Sequence, residues 1–275
     1  MIDNSSIMTE MKFYKFNGAG NDFVVVDCRR EQYPLTEHTI AHLCHRRFGI
    51  GADGLMTLGV APEGYDFEMR YYNSDGRLGS MCGNGGRCIS AFAHLLGLSH
   101  PHPTTGSPCL HFVAYDGDHD AQIISWDNER RRGVVRLGMR TIDRSTVCRC
   151  EQGWFLDTGS PHFVLEVNNL NDYDVEAVGR RWRNRLDLFP KGTNVDFIER
   201  QPDGALAIRT FERGVEAETW ACGTGVTAVA IVSGCKSIHA RGGDFEVSFS
   251  TTDKAFDNVL LTGPVSLDFE GIVII

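Results

Sequence analysis

The four residues CGNG at positions 82–85 decide how the chain is organised, because they return as CGTG at positions 222–225. The two cysteines are 140 residues apart, since 222 − 82 = 140. At the same shift two further pairs of segments match: NDFV (21–24) with PHFV (161–164), and FEMRY (67–71) with AIRTF (207–211). Three landmarks in one register predict two homologous halves that arose by duplication.

The local patterns predict similar elements in the two halves. Residues 13–27 indicate two strands around a glycine-containing turn. Residues 36–48 indicate a helix that Gly49 closes as its C-cap, and residues 172–186 indicate a helix at the corresponding place in the second half.

Each cysteine motif begins a further helix, which ends at Gly97 in the first half and at Gly234 in the second. Both helices are apolar on most or all sides, which predicts that they are buried. A buried helix in a chain rich in short strands indicates a curved sheet wrapped around it. We therefore predict an α+β fold with two pseudo-symmetric domains, one of residues 1–136 plus 260–275 and the other of residues 137–259.

Composition restricts the class of protein. The net charge of −9 argues against a general nucleic-acid binder, because no basic excess neutralises phosphates. The polar residues 1–10, expected to form a tail, lack the apolar core of a signal peptide. No apolar run approaches the roughly 20 residues that span a bilayer. With nine cysteines read as reduced thiols, these features predict a cytoplasmic protein that does not bind membranes.

A cysteine just before a helix lies where unpaired backbone N–H groups and the helix dipole favour an anion. We therefore expect the pKa of Cys82 and of Cys222 to fall towards neutrality. The same N–H groups can hold a carboxylate. Two such sites facing each other across an interdomain cleft suit inversion of a carbon centre, with one thiolate removing a proton and one thiol returning it.

The structural alternative is that each cysteine is only a small buried residue, which is the usual role of a lone cysteine. The symmetric pair favours chemistry instead. The other cysteines are interpreted as structural. The spacings in CRC (148–150) and HLCH (42–45) lack a second half at zinc-site spacing, so no metal site is predicted. Residues 129–132 are expected to form a solvated hairpin turn, and residues 99–108 a surface loop.

Several segments together resemble one enzyme family, the diaminopimelate epimerases. In the first half they are FNGAGNDF (16–23), FGIGADG (48–54), YNSDG (72–76) and MCGNGGRC (81–88). In the second half they are TGSPH (158–162), GTN (192–194), ERG (212–214) and ACGTG (221–225). The resemblance covers the chain from about residue 11 to the C-terminus.

The resemblance implies conversion of LL-diaminopimelate into the meso form, in the synthesis of lysine and of peptidoglycan precursors. It implies no cofactor and a homodimer. It also implies two domains, each a β-barrel-like sheet around a central helix, with the active site in the cleft between them. Cys82 would be the base acting on the LL isomer, and Cys222 would return the proton.

The resemblance also implies how the substrate is bound. The backbone N–H groups of four residues would hold the reacting carboxylate: Gly83, Asn84, Gly223 and Thr224. Asn21 would line the same end, and Asp53 and Ser160 would add further contacts. At the distal amino-acid head, Arg213 supplies a fork for the carboxylate and Glu212 can pair with the ammonium group.

Asn73 and Asn194 would add neutral hydrogen bonds at that distal head, and His162 could tune thiol ionisation. From sequence alone, Glu212 and Arg213 could equally form a surface ion pair, and His162 could be a structural histidine.

Two other functions stay open. A proline racemase or hydroxyproline epimerase of the same fold would bind a ring with one carboxylate and would not use the charged distal residues. A non-catalytic relative or thiol redox protein would not need both sulfurs for proton exchange.

Overall fold

A computed structural model describes residues 9–79 and 81–275. Residues 1–8, which make up most of the predicted tail, lie outside the described part, and Glu10 already begins a strand. The first half contains β1 (Glu10–Gly18), β2 (Asn21–Asp27), α1 (Glu37–Cys44), β3 (Gly54–Gly59), β4 (Phe67–Asn73), β5 (Leu78–Gly79), α2 (Gly83–Leu95), β6 (His100–Pro101), β7 (Pro108–Ala114), β8 (Gly117–Asp127) and β9 (Arg132–Gly138).

The second half repeats this order. It contains β10 (Ile142–Asp143), β11 (Cys148–Cys150), β12 (Gly153–Asp157), β13 (Pro161–Glu166), α3 (Val175–Arg183), β14 (Asn194–Arg200), β15 (Leu206–Glu212), β16 (Ala217–Thr219), α4 (Gly223–Ser233), β17 (Ser237–Ala240), β18 (Gly243–Thr251) and β19 (Ala255–Ile274). Short 3-10 turns lie at Arg144–Thr146 and Leu170–Asp172.

Strand pairing is the same in the two halves. In the first half β2 pairs parallel with β3, β3 antiparallel with β4, and β4 parallel with β7. In the second half β13 pairs parallel with β14, β14 antiparallel with β15, and β15 parallel with β17. Matching pairings at matching positions confirm the two pseudo-symmetric domains predicted from the shift of 140 residues.

Each cysteine motif begins the helix at the centre of its half. Helix α2 is buried from Gly83 to Ala93, and its apolar residues share a core with β1, β2, β3, β4, β7, β8 and β9. Helix α4 is buried over most of its length and shares a second core with β12, β13, β14, β15, β17 and β18. The α+β architecture of curved sheets around central helices is therefore confirmed.

The long strand β19 joins the halves. Its first part pairs with β18 and β10, and its last part pairs with β9 and β1. Val259 and Leu261 pack in the second core, whereas Val265 and Leu267 pack in the first. The domain boundaries at 136/137 and 259/260 stay a prediction.

Two predicted helices are shorter than expected. Helix α1 ends at Cys44 rather than near Phe48, because the ring Nδ1 of His45 accepts hydrogen bonds from the backbone N–H groups of Arg47 and Phe48, which then form a turn. Gly49 is therefore not the C-cap. A Cβ there would lie 2.0 Å from the carbonyl oxygen of His42, which explains the glycine.

Helix α3 begins after Asp174 rather than at residue 172, because the Asp174 side chain accepts the N–H of Ala177 at 3.0 Å and caps the helix there. It ends at Arg183 rather than at residue 186. Residues 128–131 form the predicted hairpin turn between β8 and β9, whereas the predicted loop 99–108 includes the short strand β6. In the described part of the chain, every helix is too short or too polar to cross a membrane.

Candidate active site

A cavity of about 1260 Å³ lies between the two halves. Thirteen of the fourteen residues predicted from the sequence line it: Asn21, Asp53, Asn73, Cys82, Gly83, Asn84, Ser160, Asn194, Glu212, Arg213, Cys222, Gly223 and Thr224. The fourteenth, His162, is fully buried behind the cavity wall. The structure thus brings together residues that are up to 203 positions apart, since 224 − 21 = 203.

The two cysteines are the N-caps of the two central helices. The helices meet at these ends: a Cβ on Gly83 would lie 3.8 Å from the Cα of Gly223, and a Cβ on Gly223 would lie 3.5 Å from the Cα of Gly83. Glycine at both positions lets the two backbones approach. Two positive helix ends therefore converge on one point of the cavity.

The Cys82 sulfur accepts a hydrogen bond from the N–H of Gly85 at 3.2 Å. This contact favours the thiolate, but the desolvation caused by the surrounding protein is larger and raises the pKa of Cys82 to about 11. The expected fall of this pKa towards neutrality is therefore wrong. The helix N-terminus reduces the cost of ionising the sulfur without cancelling the cost of burial.

The Cys222 thiol is also harder to ionise than an ordinary cysteine thiol. Burial, followed by the nearby carboxylates of Glu212 and Asp196, raises the pKa of Cys222 well above its usual value, so the expected lowering is wrong here too. Its sulfur lies 3.3 Å from the hydroxyl of Thr224, which opposes the shift. Burial also raises the pKa of Glu212, which is held by a 2.6 Å hydrogen bond from Thr219. The two sulfurs are therefore unequal.

Behind Cys222, a fully buried pair of His162 and Asp196 has its ring Nδ1 and carboxylate 2.7 Å apart. The amide of Asn194 is oriented by the carbonyl of Pro161, which accepts from Nδ2, and by the N–H of Arg213, which donates to Oδ1. Its Nδ2 also lies 3.3 Å from Nε2 of His162. Because a carboxylate can only accept, Nδ1 donates its proton to Asp196, and in the neutral imidazole Nε2 is then the acceptor.

The Thr224 hydroxyl connects this imidazole to the sulfur. Its oxygen is 2.9 Å from Nε2 of His162 and 3.3 Å from the sulfur of Cys222. With Nε2 as acceptor, the hydroxyl donates to the ring and accepts from the Cys222 thiol. The hydroxyl can instead rotate and donate to a Cys222 thiolate, while Asn194 and Ser160 stay within hydrogen-bond distance of Nε2.

On the Cys82 side, a polar network orients Asn21. The carboxylate of Asp53 accepts from the side chain of Asn21 at 2.6 Å and from Arg46 at 2.6 Å. Arg46 also pairs with Asp22, and with Lys15 it holds the pKa of Asp22 well below its usual range. Both oxygens of Asp53 are thus already engaged by the protein.

Glu212 at the end of β15 and Arg213 directly after it also line the cavity. The backbone N–H of Arg213 donates to Asn194, and its guanidinium donates to the carbonyl of Lys191 at 3.0 Å. Glu212 points into the cavity beside Cys222 instead of forming the surface ion pair with Arg213 that was the alternative prediction. Asn73 is exposed at the mouth of the cavity.

Sequence reasoning missed Asp196, Arg46 and Trp220. A carboxylate inside the apolar strand β14 was the available signal for Asp196, because a buried charge needs a partner. Arg46 and Trp220 gave no comparable signal. Trp220 is 61% exposed at the cavity mouth and packs on Gly20, where a Cβ would lie 2.4 Å from the Cβ of the indole side chain.

Known proteins resemble this chain along most of its length. The family model described as diaminopimelate epimerase matches residues 13–105 and 154–267. The diaminopimelate epimerase of Flavobacterium psychrophilum is 41% identical over 270 residues, which cover 94% of this chain and 99% of that protein. The diaminopimelate epimerase of Chlorobaculum tepidum is 39% identical over 263 residues, with 94% and 99% covered.

Among solved structures, a probable proline racemase from Agrobacterium radiobacter K84 superposes with a TM-score of 0.68. The match covers 96% of this chain and 92% of that one, at 14% sequence identity. At this identity the likeness concerns the fold alone, and it agrees with the two-domain α+β architecture.

Proposed function

This chain belongs to the diaminopimelate epimerase family, and we propose that it converts LL-diaminopimelate into the meso isomer by proton exchange between Cys82 and Cys222. The enzyme is an isomerase. The observation that carries the proposed chemistry is the meeting of two helix N-termini, each capped by a cysteine, inside one cavity. Inversion needs a base on one face of the carbon and an acid on the other, and the two halves supply one each.

The reacting carboxylate would lie where the two helices meet. The N–H of Gly85 is used by the Cys82 sulfur, and that of Gly86 by the carbonyl of Cys82. The N–H groups of Gly83 and Asn84, together with those of Gly223 and Thr224, would therefore face the carboxylate. As the proton leaves, negative charge moves onto the carboxylate oxygens, and these preorganised donors would stabilise it.

Cys82 would be the thiolate that removes the α-proton of the LL isomer, and Cys222 would be the thiol on the opposite face. The support is electrostatic: the carboxylates of Glu212 and Asp196 stand beside Cys222 and disfavour a second negative charge there. After Cys222 has given up its proton, the Thr224 hydroxyl would donate to the new thiolate. His162, held by Asp196, would orient that hydroxyl.

Recognition of the distal amino-acid head is assigned to Arg213, Glu212, Asn73 and Asn194. The Arg213 guanidinium, which donates to the carbonyl of Lys191, would turn its remaining donors to the carboxylate. Glu212 would pair with the ammonium group, with Ser160 nearby. We assign Asp53 to orienting Asn21, because its two oxygens are already engaged there.

The alternative is a proline racemase or hydroxyproline epimerase activity. Isotope exchange in deuterated water distinguishes the two, because each substrate takes up deuterium at its α-carbon only if the enzyme removes that proton. Incubation with LL-diaminopimelate is expected to give deuterated meso product, with no label in proline. Exchange into proline alone would overturn the assignment of substrate.

We also propose a cytoplasmic homodimer that needs no cofactor and acts in the synthesis of lysine and peptidoglycan precursors. Nine free cysteines suit a reducing compartment. The exposed apolar side chains Ile272 and Ile274, which lie on one face of β19, offer a surface for a second copy. Light scattering coupled to gel filtration tests the dimer, and a monomer at micromolar concentration would contradict it.

A further inference from the structure

Arg87 lies one helical turn beyond Cys82 on α2, and its side chain is fully buried. Its contacts are neutral groups. Nη1 donates to the carbonyl of Gly83 at 3.1 Å, Nη2 donates to Oδ1 of Asn84 at 2.9 Å, and the guanidinium stands 5.0 Å from the centre of the Phe245 ring. Nε has no partner. No ion pair to Arg87 is present among residues 9–79 and 81–275.

A buried cation without a counter-ion is unfavourable for folding, so its retention calls for a reason other than stability. The surrounding backbone is shaped around it. Gly263 lies beside the guanidinium, where a Cβ would be 3.1 Å from Nε and 2.6 Å from the Phe245 ring. The charge is therefore held in a fitted site between the two halves, directly behind the point where the two helices meet.

The carbonyl bound by Arg87 belongs to the peptide that carries the N–H of Asn84. Donation to a carbonyl polarises its peptide and strengthens the N–H on the other side. That N–H is one of the donors proposed to face the substrate carboxylate. Arg87 thus acts on the anion site through one peptide group, without touching the substrate.

The Asn84 side chain carries the effect of Arg87 to the other half. With Oδ1 held by Arg87, its Nδ2 is directed to the carbonyl of Ala221 at 2.9 Å. Ala221 is the residue before Cys222. A chain of two hydrogen bonds therefore runs from the guanidinium to the second cysteine motif and sets the position of one motif against the other.

The duplication supplies an internal comparison. The position equivalent to Arg87 is Thr227, since 227 − 87 = 140, and the Thr227 hydroxyl donates to the carbonyl of Gly223 at 2.9 Å. The same backbone contact is therefore made by a cation in the first half and by a neutral hydroxyl in the second. Burial is the largest cause that raises the pKa of both cysteines and Glu212 raises both further, whereas Arg87 lowers the pKa of Cys82 and Asp196 raises that of Cys222.

We propose that Arg87 is a positioning residue for the epimerase reaction: its charge favours anions on the Cys82 side of the cleft, and through Asn84 it holds the Cys222 motif in place. The substrate carboxylate then supplies a counter-ion for Arg87. This inference rests on the proposed function, because it assigns the anion in the cavity to an amino-acid substrate.

The test compares Arg87→Met, which keeps the volume and removes the charge, with Arg87→Lys, which keeps the charge. Thr227→Val is the matched control at the equivalent position. Arg87→Met is expected to lower kcat/KM about tenfold, less than the roughly 100-fold for loss of a donor that touches the oxyanion, because the N–H of Asn84 remains. Its melting temperature is expected to stay equal or rise, because an unpaired buried charge is removed. Thr227→Val is expected to change kcat/KM less than about threefold, because a neutral hydrogen bond contributes little net free energy.

A second readout needs no substrate. In a Cys222→Ala background, the rate of Cys82 alkylation by iodoacetamide reports the thiolate fraction. Arg87→Met is expected to slow alkylation at pH 8 about tenfold, equivalent to a rise of one pH unit in its midpoint. Arg87→Lys is expected to keep the alkylation rate while losing part of kcat/KM, because one ammonium group cannot hold both acceptors.

Equal alkylation rates in the Met, Lys and parent proteins would overturn the electrostatic role. A lower melting temperature for Arg87→Met, with unchanged kcat/KM per folded molecule, would show a purely structural residue. If Arg87→Met fails to fold, Arg87→Lys provides the test. It keeps the positive charge, so a tenfold slower alkylation of Cys82 in this variant would also refute the role of charge. A wild-type protein that exchanges no deuterium into diaminopimelate, yet shows the expected alkylation series, would overturn only the proposed function.

Discussion

The substitution Asp196→Asn tests whether the buried imidazole prepares Thr224 for its contact with Cys222. Asp196 accepts two hydrogen bonds in the fully buried site, one from Nδ1 of His162 at 2.7 Å and one from the hydroxyl of Thr210 at 2.8 Å. An asparagine offers one carbonyl oxygen and one NH₂ group in the same space. With its oxygen towards the imidazole and its NH₂ towards the Thr210 hydroxyl, which can also accept, an asparagine satisfies both contacts but removes the negative charge that the imidazole proton faces.

The hydrogen bond from Nδ1 then goes to a neutral oxygen, which holds the proton on Nδ1 less firmly, so the tautomer with the proton on Nε2 becomes more populated. Nε2 then meets the amide of Asn194 with a proton instead of a lone pair. Loss of one buried charge-assisted hydrogen bond costs about 2 kcal/mol. The melting temperature should fall by about 4–8 °C. The same loss in the transition state should lower kcat about 30-fold.

The assay pairs steady-state epimerisation of LL-diaminopimelate with a thermal melt of each variant. Thr210→Val is the control, because it removes the other hydrogen bond to Asp196 and leaves the carboxylate and its contact with His162. The expected loss of kcat for Thr210→Val is less than about fivefold, in line with a neutral hydrogen bond. A folded Asp196→Asn enzyme with kcat within about twofold of wild type would refute the orienting role of the imidazole.

Three further predictions concern other parts of the site. The pKa of Cys82 is raised to about 11 and that of Cys222 is raised well above its usual value, so the thiolate fraction increases as pH rises. We therefore expect kcat/KM to keep rising from pH 6.5 to 8.5, and a plateau reached below pH 7 would contradict this. Arg213→Met should raise KM about 10-fold or more with a smaller change in kcat, because a charge-assisted contact with the substrate carboxylate is lost. An unchanged KM in initial-rate assays would exclude Arg213 from substrate binding. Gly225→Ala would place a Cβ 2.5 Å from Oδ1 of Asp196, so the melting temperature of this variant should fall by several degrees. In the control Gly59→Ala the nearest atom lies at 3.6 Å, so this variant should melt close to wild type. Equal melting temperatures would contradict the close packing at Gly225.

The duplication could be predicted from sequence because it leaves repeated residues at a fixed shift. The cysteines, the glycines beside them and the helices that follow are all local features, and their place at the centre of each half follows from burial on every side. The ends of α1 could not be predicted. The ring of His45 competes for backbone N–H groups there, and no periodicity reports such a contact.

The site was predictable as a set of residues and less so as an electrostatic environment. The helix N-terminus at Cys82 suggested a lowered thiol pKa, but the depth of burial depends on side chains from both halves and only the folded structure reveals it. Asp53 contacts Asn21 and Arg46, which are 32 and 7 positions away in the sequence, and its assignment to substrate stays a prediction. The partnership of His162 with Asp196 likewise depends on the parallel pairing of β13 with β14.

The central claim, that Cys82 and Cys222 act on opposite faces of one carbon, is tested most directly by isotope partitioning at early conversion. LL-diaminopimelate is incubated in deuterated water, and both recovered substrate and meso product are analysed by mass spectrometry. Two separate bases predict one deuterium in the product and almost none in the remaining substrate, and loss of epimerisation in both Cys82→Ala and Cys222→Ala. Equal labelling of substrate and product from the first turnovers, or full activity in either variant, would contradict the two-base account.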